Sequence, residues 1–177
     1  MFEPKGKLII IGGSVDKGSF FKEQEDQPKN LKFFEKGILK RIITESLKGT
    51  SSRTEIITTA SSIPKEVGQE YLTAFEQLGI MDSAVMDIRT REEANATENL
   101  ERLRKADIVM FTGGDQLRLS SIFGGTGFHK MLMERYENEN FIISGTSAGA
   151  AASSNNMIYQ GSSSESLLKG EVKITGG

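Results

Sequence analysis

Gly145-Thr146-Ser147-Ala148-Gly149 sets a serine between two glycines, with only small residues beside it. That spacing suits a nucleophile elbow. The serine would occupy a tight, strained turn between a strand and a helix, where small side chains let neighbouring backbone come close. The flanks agree: Phe141-Ile-Ile-Ser144 precedes the turn and Ala148-Gly-Ala-Ala-Ala152 follows it. The first amides of such a helix lack partners within it, so the N–H of Ala148 would point at a developing oxyanion. A plain Gly-Ser turn packing a small-residue helix onto a sheet is the bland alternative. Thr112-Gly-Gly-Asp-Gln116 adds weight to the chemical reading. The pair Gly113-Gly114 can offer backbone N–H groups to an anion and complete an oxyanion hole. Gln116 carries a neutral amide suited to a substrate carboxylate, amide or guanidinium. Asp115 reads as a helix N-cap, which is compatible with ligand binding. Gly12-Gly13-Ser14 begins like a phosphate loop but completes neither common nucleotide fingerprint.

These residues need a scaffold, and the apolar pattern supplies one. Short apolar runs alternate with longer amphipathic ones. Leu8-Ile-Ile-Ile11, stopped by Gly12-Gly13, reads as a strand buried on both faces. Leu31 to Leu47 has helical spacing, with Phe34, Ile38 and Ile42 on one stripe, Leu39, Ile43 and Leu47 beside it, and Gly49 as the stop. Strands are expected at Glu55–Thr59, Ala84–Ile88, Asp107–Thr112 and Phe141–Ser144. Helices are expected from Pro64 to Leu78, Arg91 to Lys105, Gln116 to Phe123 and Phe128 to Tyr136. Strands separated by helices imply a mainly parallel sheet with helices on both faces. The three glycine-marked strand ends should then line one crevice beyond the carboxyl edge of the sheet. Gly18 to Asn30 reads as a surface loop. The tail reads as a hairpin, Met157–Tyr159 and Val172–Ile174, around a serine-rich loop.

Bulk properties narrow the function. The 177 residues suit one α/β domain with a real core. A net charge of -2, with scattered basic residues, gives no reason to expect nucleic acid or an anionic membrane as partner. The chain contains no cysteine, which excludes disulfides, thiolate metal sites and a cysteine nucleophile. His129 is the one histidine and cannot build a His-rich metal site, so no metal is expected. No secretory h-region and no membrane-length apolar run is present, so the expected location is cytoplasmic.

Taken together, Ile11-Gly-Gly13 with Asp16-Lys17, Ile63-Pro-Lys-Glu-Val-Gly68, Phe111-Thr-Gly-Gly-Asp-Gln-Leu-Arg118 and Gly145-Thr-Ser-Ala-Gly-Ala150 closely resemble the cyanophycinase family. That serine peptidase family also contains aspartyl dipeptidase. The resemblance runs from about Lys7 to the last residue, and the segments at Thr112 and Gly145 are its specific part. It implies a flavodoxin-like three-layer sandwich, similar to the class I glutamine amidotransferase domain. It implies Ser147 as nucleophile, Gly114 and Ala148 as oxyanion-hole amides, and Gln116, with Asp115 beside it, at the substrate. It implies hydrolysis of cyanophycin, a poly-aspartate with arginine branches, to β-Asp-Arg dipeptides, and no cofactor. A homodimer is the oligomer allowed for.

The family's catalytic histidine and acidic partner lie downstream of the segment matching Val172-Lys-Ile-Thr-Gly-Gly177. The chain is therefore expected to be truncated at its C-terminal end and, by itself, inactive or impaired. His129 is expected to be an ordinary helical histidine beside Phe128, Leu132 and Tyr136, and Glu165 a solvated loop residue. Two other readings remain open: an aspartyl or isoaspartyl dipeptidase, and a non-catalytic amidotransferase-like domain that binds a ligand.

Overall fold

A computed structural model describes residues 3–18, 32–160 and 173–176. Its main sheet has five strands: β1 (Lys7–Ile11), β2 (Thr54–Ile57), β3 (Ser83–Met86), β4 (Ile108–Phe111) and β5 (Ile142–Thr146). Their order is β1-β5-β4-β2-β3, and every neighbouring pair is parallel. Period-two alternation sends successive side chains to opposite faces. Ile56, Ile108, Met110 and Ile142 pack under α1 (Ile38–Glu45) and α2 (Pro64–Gln77). Ile57, Val109, Phe111 and Ile143 pack under α3 (Thr97–Lys105), α4 (Gln116–Phe123), α5 (Gly127–Asn138) and the short α6 (Ala148–Ala152). Both faces of the central strands are apolar because both are covered. The result is a three-layer α/β sandwich with a parallel sheet. β6 (Asn156–Gln160) and β7 (Lys173–Gly176) form a separate antiparallel pair. Among the described residues, no helix is long and apolar enough to cross a membrane.

Local chemistry explains most boundaries. Pro64 opens α2 in its first turn, where its missing N–H costs nothing, and Gly79 ends it at φ +92°. Gly68 lets α2 approach β3 closely, since a Cβ there would lie 2.8 Å from Val85 Cγ2. The Asp115 carboxylate caps α4, accepting from the N–H groups of Leu117 (2.9 Å) and Arg118 (3.3 Å).

Three expectations need correction. β1 is not buried on both faces: it lies at the sheet edge beside β5, and Leu8 and Ile10 are 41% and 50% exposed. The helix expected over Leu31–Leu47 is broken. A wide turn at Lys32–Lys36 precedes α1, which starts after Gly37, where a Cβ would meet the Phe33 carbonyl oxygen at 2.5 Å. α1 stops at Glu45 because Ser46 turns extended, so Leu47 is left exposed. The helix expected over Arg91–Lys105 also splits, at an extended Ala96, into a single turn (Glu93–Asn95) and α3. Side chains take the turn's carbonyls there: Asn95 Nδ2 donates to the Arg91 carbonyl at 2.7 Å and Asn99 Nδ2 to the Glu93 carbonyl at 2.9 Å. The expected loop after Gly18, the serine-rich loop and Glu165 fall outside the described residues.

Candidate functional site

The strand ends marked by glycine come together. β1, β5 and β4 are contiguous and parallel, so Gly12-Gly13, Ser147 and Gly113-Gly114 share one end of the sheet. The Ser147 N–H donates to the Ile11 carbonyl at 3.0 Å, which ties the elbow to the end of β1.

Ser147 sits between β5 and α6 with φ +49° and ψ -107°. It is the single non-glycine residue at positive φ among the described residues. Those angles miss even the left-handed well, so the backbone is strained. Its side chain is exposed, and its hydroxyl makes no hydrogen bond within the described residues. The flanking glycines let the elbow close. A Cβ on Gly145 would lie 2.5 Å from the Gly149 carbonyl carbon, and one on Gly149 would lie 2.7 Å from both Phe111 Cβ and the Phe111 carbonyl oxygen. The turn can pack on β4 only if both positions lack side chains.

The second glycine pair lies against the serine. A Cβ on Gly113 would be 3.4 Å from Ser147 Cβ and 3.9 Å from its Oγ. Gly114 has φ +142°, and a Cβ there would fall 2.1 Å from the Ala60 carbonyl oxygen. That same oxygen accepts the Asp115 N–H at 2.9 Å. The glycine loop therefore rests on the segment that follows β2. Two arginines to which the sequence assigned no role brace that segment: Arg89 Nη1 donates to the carbonyls of Thr59 and Ser61, and Arg118 Nη1 to those of Ala60 and Ser61. Nothing local flags them, because their partners are 28 to 58 residues away in sequence.

Gln116 opens α4, and its Nε2 donates to the Ile158 carbonyl at 3.1 Å, linking the site to β6. Behind the elbow, the Tyr71 hydroxyl shares a hydrogen bond with Thr146 Oγ1 at 3.3 Å, and Lys17 Nζ lies 5.0 Å from the Tyr71 ring centre. Burial pushes the Tyr71 phenol above its ordinary value. His129 is elsewhere. It lines an apolar cavity of about 370 Å³ between β1, α4, α5 and α6, walled by Leu8, Leu119, Phe123, Leu132 and Tyr136. Its Nδ1 accepts the Gly125 N–H at 3.3 Å, and no hydrogen bond joins it to Ser147. Among the described residues, no group of three or more His, Asp or Glu side chains is arranged to hold a metal ion.

Residues 32–171 match the family described as Peptidase family S51. The chain is 32% identical over 173 residues to the cyanophycinase of Geminocystis herdmanii, an alignment covering 98% of this chain and 58% of that protein. It is 34% identical over 173 residues to the cyanophycinase of Trichormus variabilis, covering 98% and 53%. It thus spans little more than half the length of these relatives. The crystal structure of a peptidase from an acI-B1 Actinobacterium superposes with a TM-score of 0.65, over 89% of this chain and 60% of that one, at 23% identity. That likeness concerns the fold.

Proposed function

The chain belongs to peptidase family S51, and on that membership we propose that it carries the nucleophilic half of a serine exopeptidase, with Ser147 forming the acyl-enzyme. The observation that carries this reading is the strained backbone of Ser147, exposed at the strand–helix junction with Gly113 against it. Strain of that kind costs stability and persists where the surrounding structure requires it. In the reaction, Ser147 Oγ attacks the scissile carbonyl and gives its proton to a base. The N–H groups of Gly114 and Ala148 face the oxyanion, collapse expels the protonated amine, and water then releases the acid. The substrate is a cyanophycin-like polymer of aspartate and arginine, cut to β-Asp-Arg dipeptides, with Gln116 and Asp115 on the substrate side. The relatives named cyanophycinase support that choice. The sheet order supports a flavodoxin-like, amidotransferase-like lineage: β3-β2-β4-β5 follows the 2-1-3-4 arrangement of that fold, with β1 as the fifth strand.

Among the described residues, no histidine stands beside Ser147 to act as its base. His129 is engaged with Gly125 in the apolar cavity, and the relatives are nearly twice as long. A serine without its base is a poor nucleophile, although an oxyanion hole and binding alone still accelerate hydrolysis about a thousandfold over water. The test is a fluorophosphonate probe on the intact protein, with the label mapped by mass spectrometry. Label is expected on Ser147 and none on Ser147→Ala. A folded, intact protein that takes no label would favour a ligand-binding domain instead. Release of Asp-Arg dipeptides by the 177-residue chain, at the rate of a full-length relative, would show that these residues supply their own base.

A further inference from the structure

We propose that Arg118 and Arg89 are positioning residues that clamp the seat of the Gly113-Gly114 loop and thereby hold its amides in register with Ser147. The inference rests on the nucleophile reading above and assigns that site a support that its motifs do not reveal.

The seat is the turn Thr58–Ser61 after β2. It is buried throughout: Thr58, Thr59 and Ala60 are at most 1% exposed and Ser61 is 4% exposed. A buried turn must find partners for its carbonyls. Here guanidinium groups from two different elements supply them. Arg89 follows β3 and reaches Thr59 O (3.1 Å) and Ser61 O (2.9 Å) through one nitrogen. Its own head is held by Asp87, whose Oδ1 lies 2.6 Å from Nε. Asp87 Oδ1 also accepts from Thr58 Oγ1 at 3.1 Å, so this brace closes back on the turn. Arg118 comes from α4 and reaches Ala60 O (3.3 Å) and Ser61 O (3.1 Å). Its own N–H is capped by Asp115, the residue directly after the glycine pair.

The Ala60 carbonyl is where the clamp meets the chemistry. It accepts from Arg118 and from the Asp115 N–H, and it fills the space a Gly114 side chain would need. Gly114 therefore has no room to move toward the turn, and Asp115 is tethered to it. A charged donor on a carbonyl makes a stronger bond than a neutral one, and planar guanidinium can serve two carbonyls at once. Removing Arg118 takes the charged donor from the Ala60 carbonyl, which keeps only the Asp115 N–H, and one of two guanidinium donors from the Ser61 carbonyl, which keeps Arg89. The glycine loop then rests on a less firmly held Ala60 carbonyl.

The experiment compares wild type, Arg118→Met, Arg118→Lys and Arg89→Gln in the intact protein, each checked for folding. Amide exchange is followed at Asp115 and at Thr112, whose N–H donates to Ile57 from the strand just before the loop. Fluorophosphonate labelling of Ser147 is resolved into kinact and KI. In Arg118→Met, Asp115 exchange should rise while Thr112 stays protected. The kinact should fall about ten- to a hundredfold, the scale of a small misplacement near reacting atoms, at unchanged KI. Arg118→Lys should recover part of the loss by serving one carbonyl, and Arg89→Gln should fall between wild type and Arg118→Met. Unchanged Asp115 exchange and unchanged kinact in folded Arg118→Met overturn the clamp while leaving the nucleophile standing. Equal loosening of Thr112 and Asp115 also overturns it, because the arginine would then serve only general stability. A wild-type Ser147 that takes no label removes the nucleophile reading, and the clamp's catalytic meaning goes with it.

Discussion

At the scale of single residues, Ser147 trades stability for geometry. Its φ of +49° with ψ -107° is held by bonds on both sides, its N–H to Ile11 and its carbonyl from the Ala151 N–H. Neither bond uses the side chain. Ser147→Gly should therefore keep the backbone path and relieve strain worth about 1–3 kcal/mol. The extra freedom of glycine in the unfolded chain takes back about 0.5–1 kcal/mol. The net expectation is a gain of about 1 kcal/mol in urea unfolding, together with complete loss of label. A variant less stable than wild type would mean that the serine is not strained. This residue was legible in the sequence because everything that makes an elbow is contiguous: two glycines, small neighbours, a strand before and a helix after. Arg118 was not. It stands in the quoted motif, but its partners are the carbonyls of Ala60 and Ser61, and no local pattern connects them.

At the scale of elements, the contact between α2 and β5 lies directly behind the elbow. Tyr71 on α2 is buried, and its hydroxyl meets Thr146, the residue before Ser147. Burial raises the phenol pKa, so the folded state holds that proton more tightly than the unfolded chain does. The stability this contributes is fully present below the unfolded value of about 10 and is lost as pH rises through the higher folded value. Tyr71→Phe removes the titrating group. Near pH 8 the variant should lie within about 1 kcal/mol of wild type, the worth of one hydrogen bond. Above about pH 10 wild type should lose stability more steeply than the variant. Parallel urea midpoints for the two proteins across that range would refute the assignment. Element identities were legible wherever periodicity ran uninterrupted, as in α2 with Pro64 and Gly79 at its ends. They blurred where backbone groups find partners outside the helix pattern: Asn95 and Asn99 take the carbonyls of Arg91 and Glu93 before α3, and Gly37 packs directly on the Phe33 carbonyl before α1.

At the scale of the whole molecule, the parallel sheet explains why one end carries the chemistry. All five strands point the same way, so their carboxyl ends deliver Gly13, Ala60, Gly114 and Ser147 to a single surface. The sheet order itself could not be read from the chain. A run such as Leu8-Ile-Ile-Ile11 announces a strand, but edge and centre differ only in which other strands pair with it, and that is settled by contacts more than a hundred residues away. The consequence is physical. Among the described residues β1 pairs with β5 on one side only, and it presents Leu8 and Ile10 on a face where Leu8 already borders the apolar cavity. An exposed apolar edge strand is a template for association. Ile10→Lys should lower the concentration-dependent association of the 177-residue chain in sedimentation velocity. Because half of that side chain is already in water, its stability should change by less than about 1 kcal/mol. If wild type and variant sediment alike at every concentration, the edge is already protected and the exposure of Ile10 has no bearing on association.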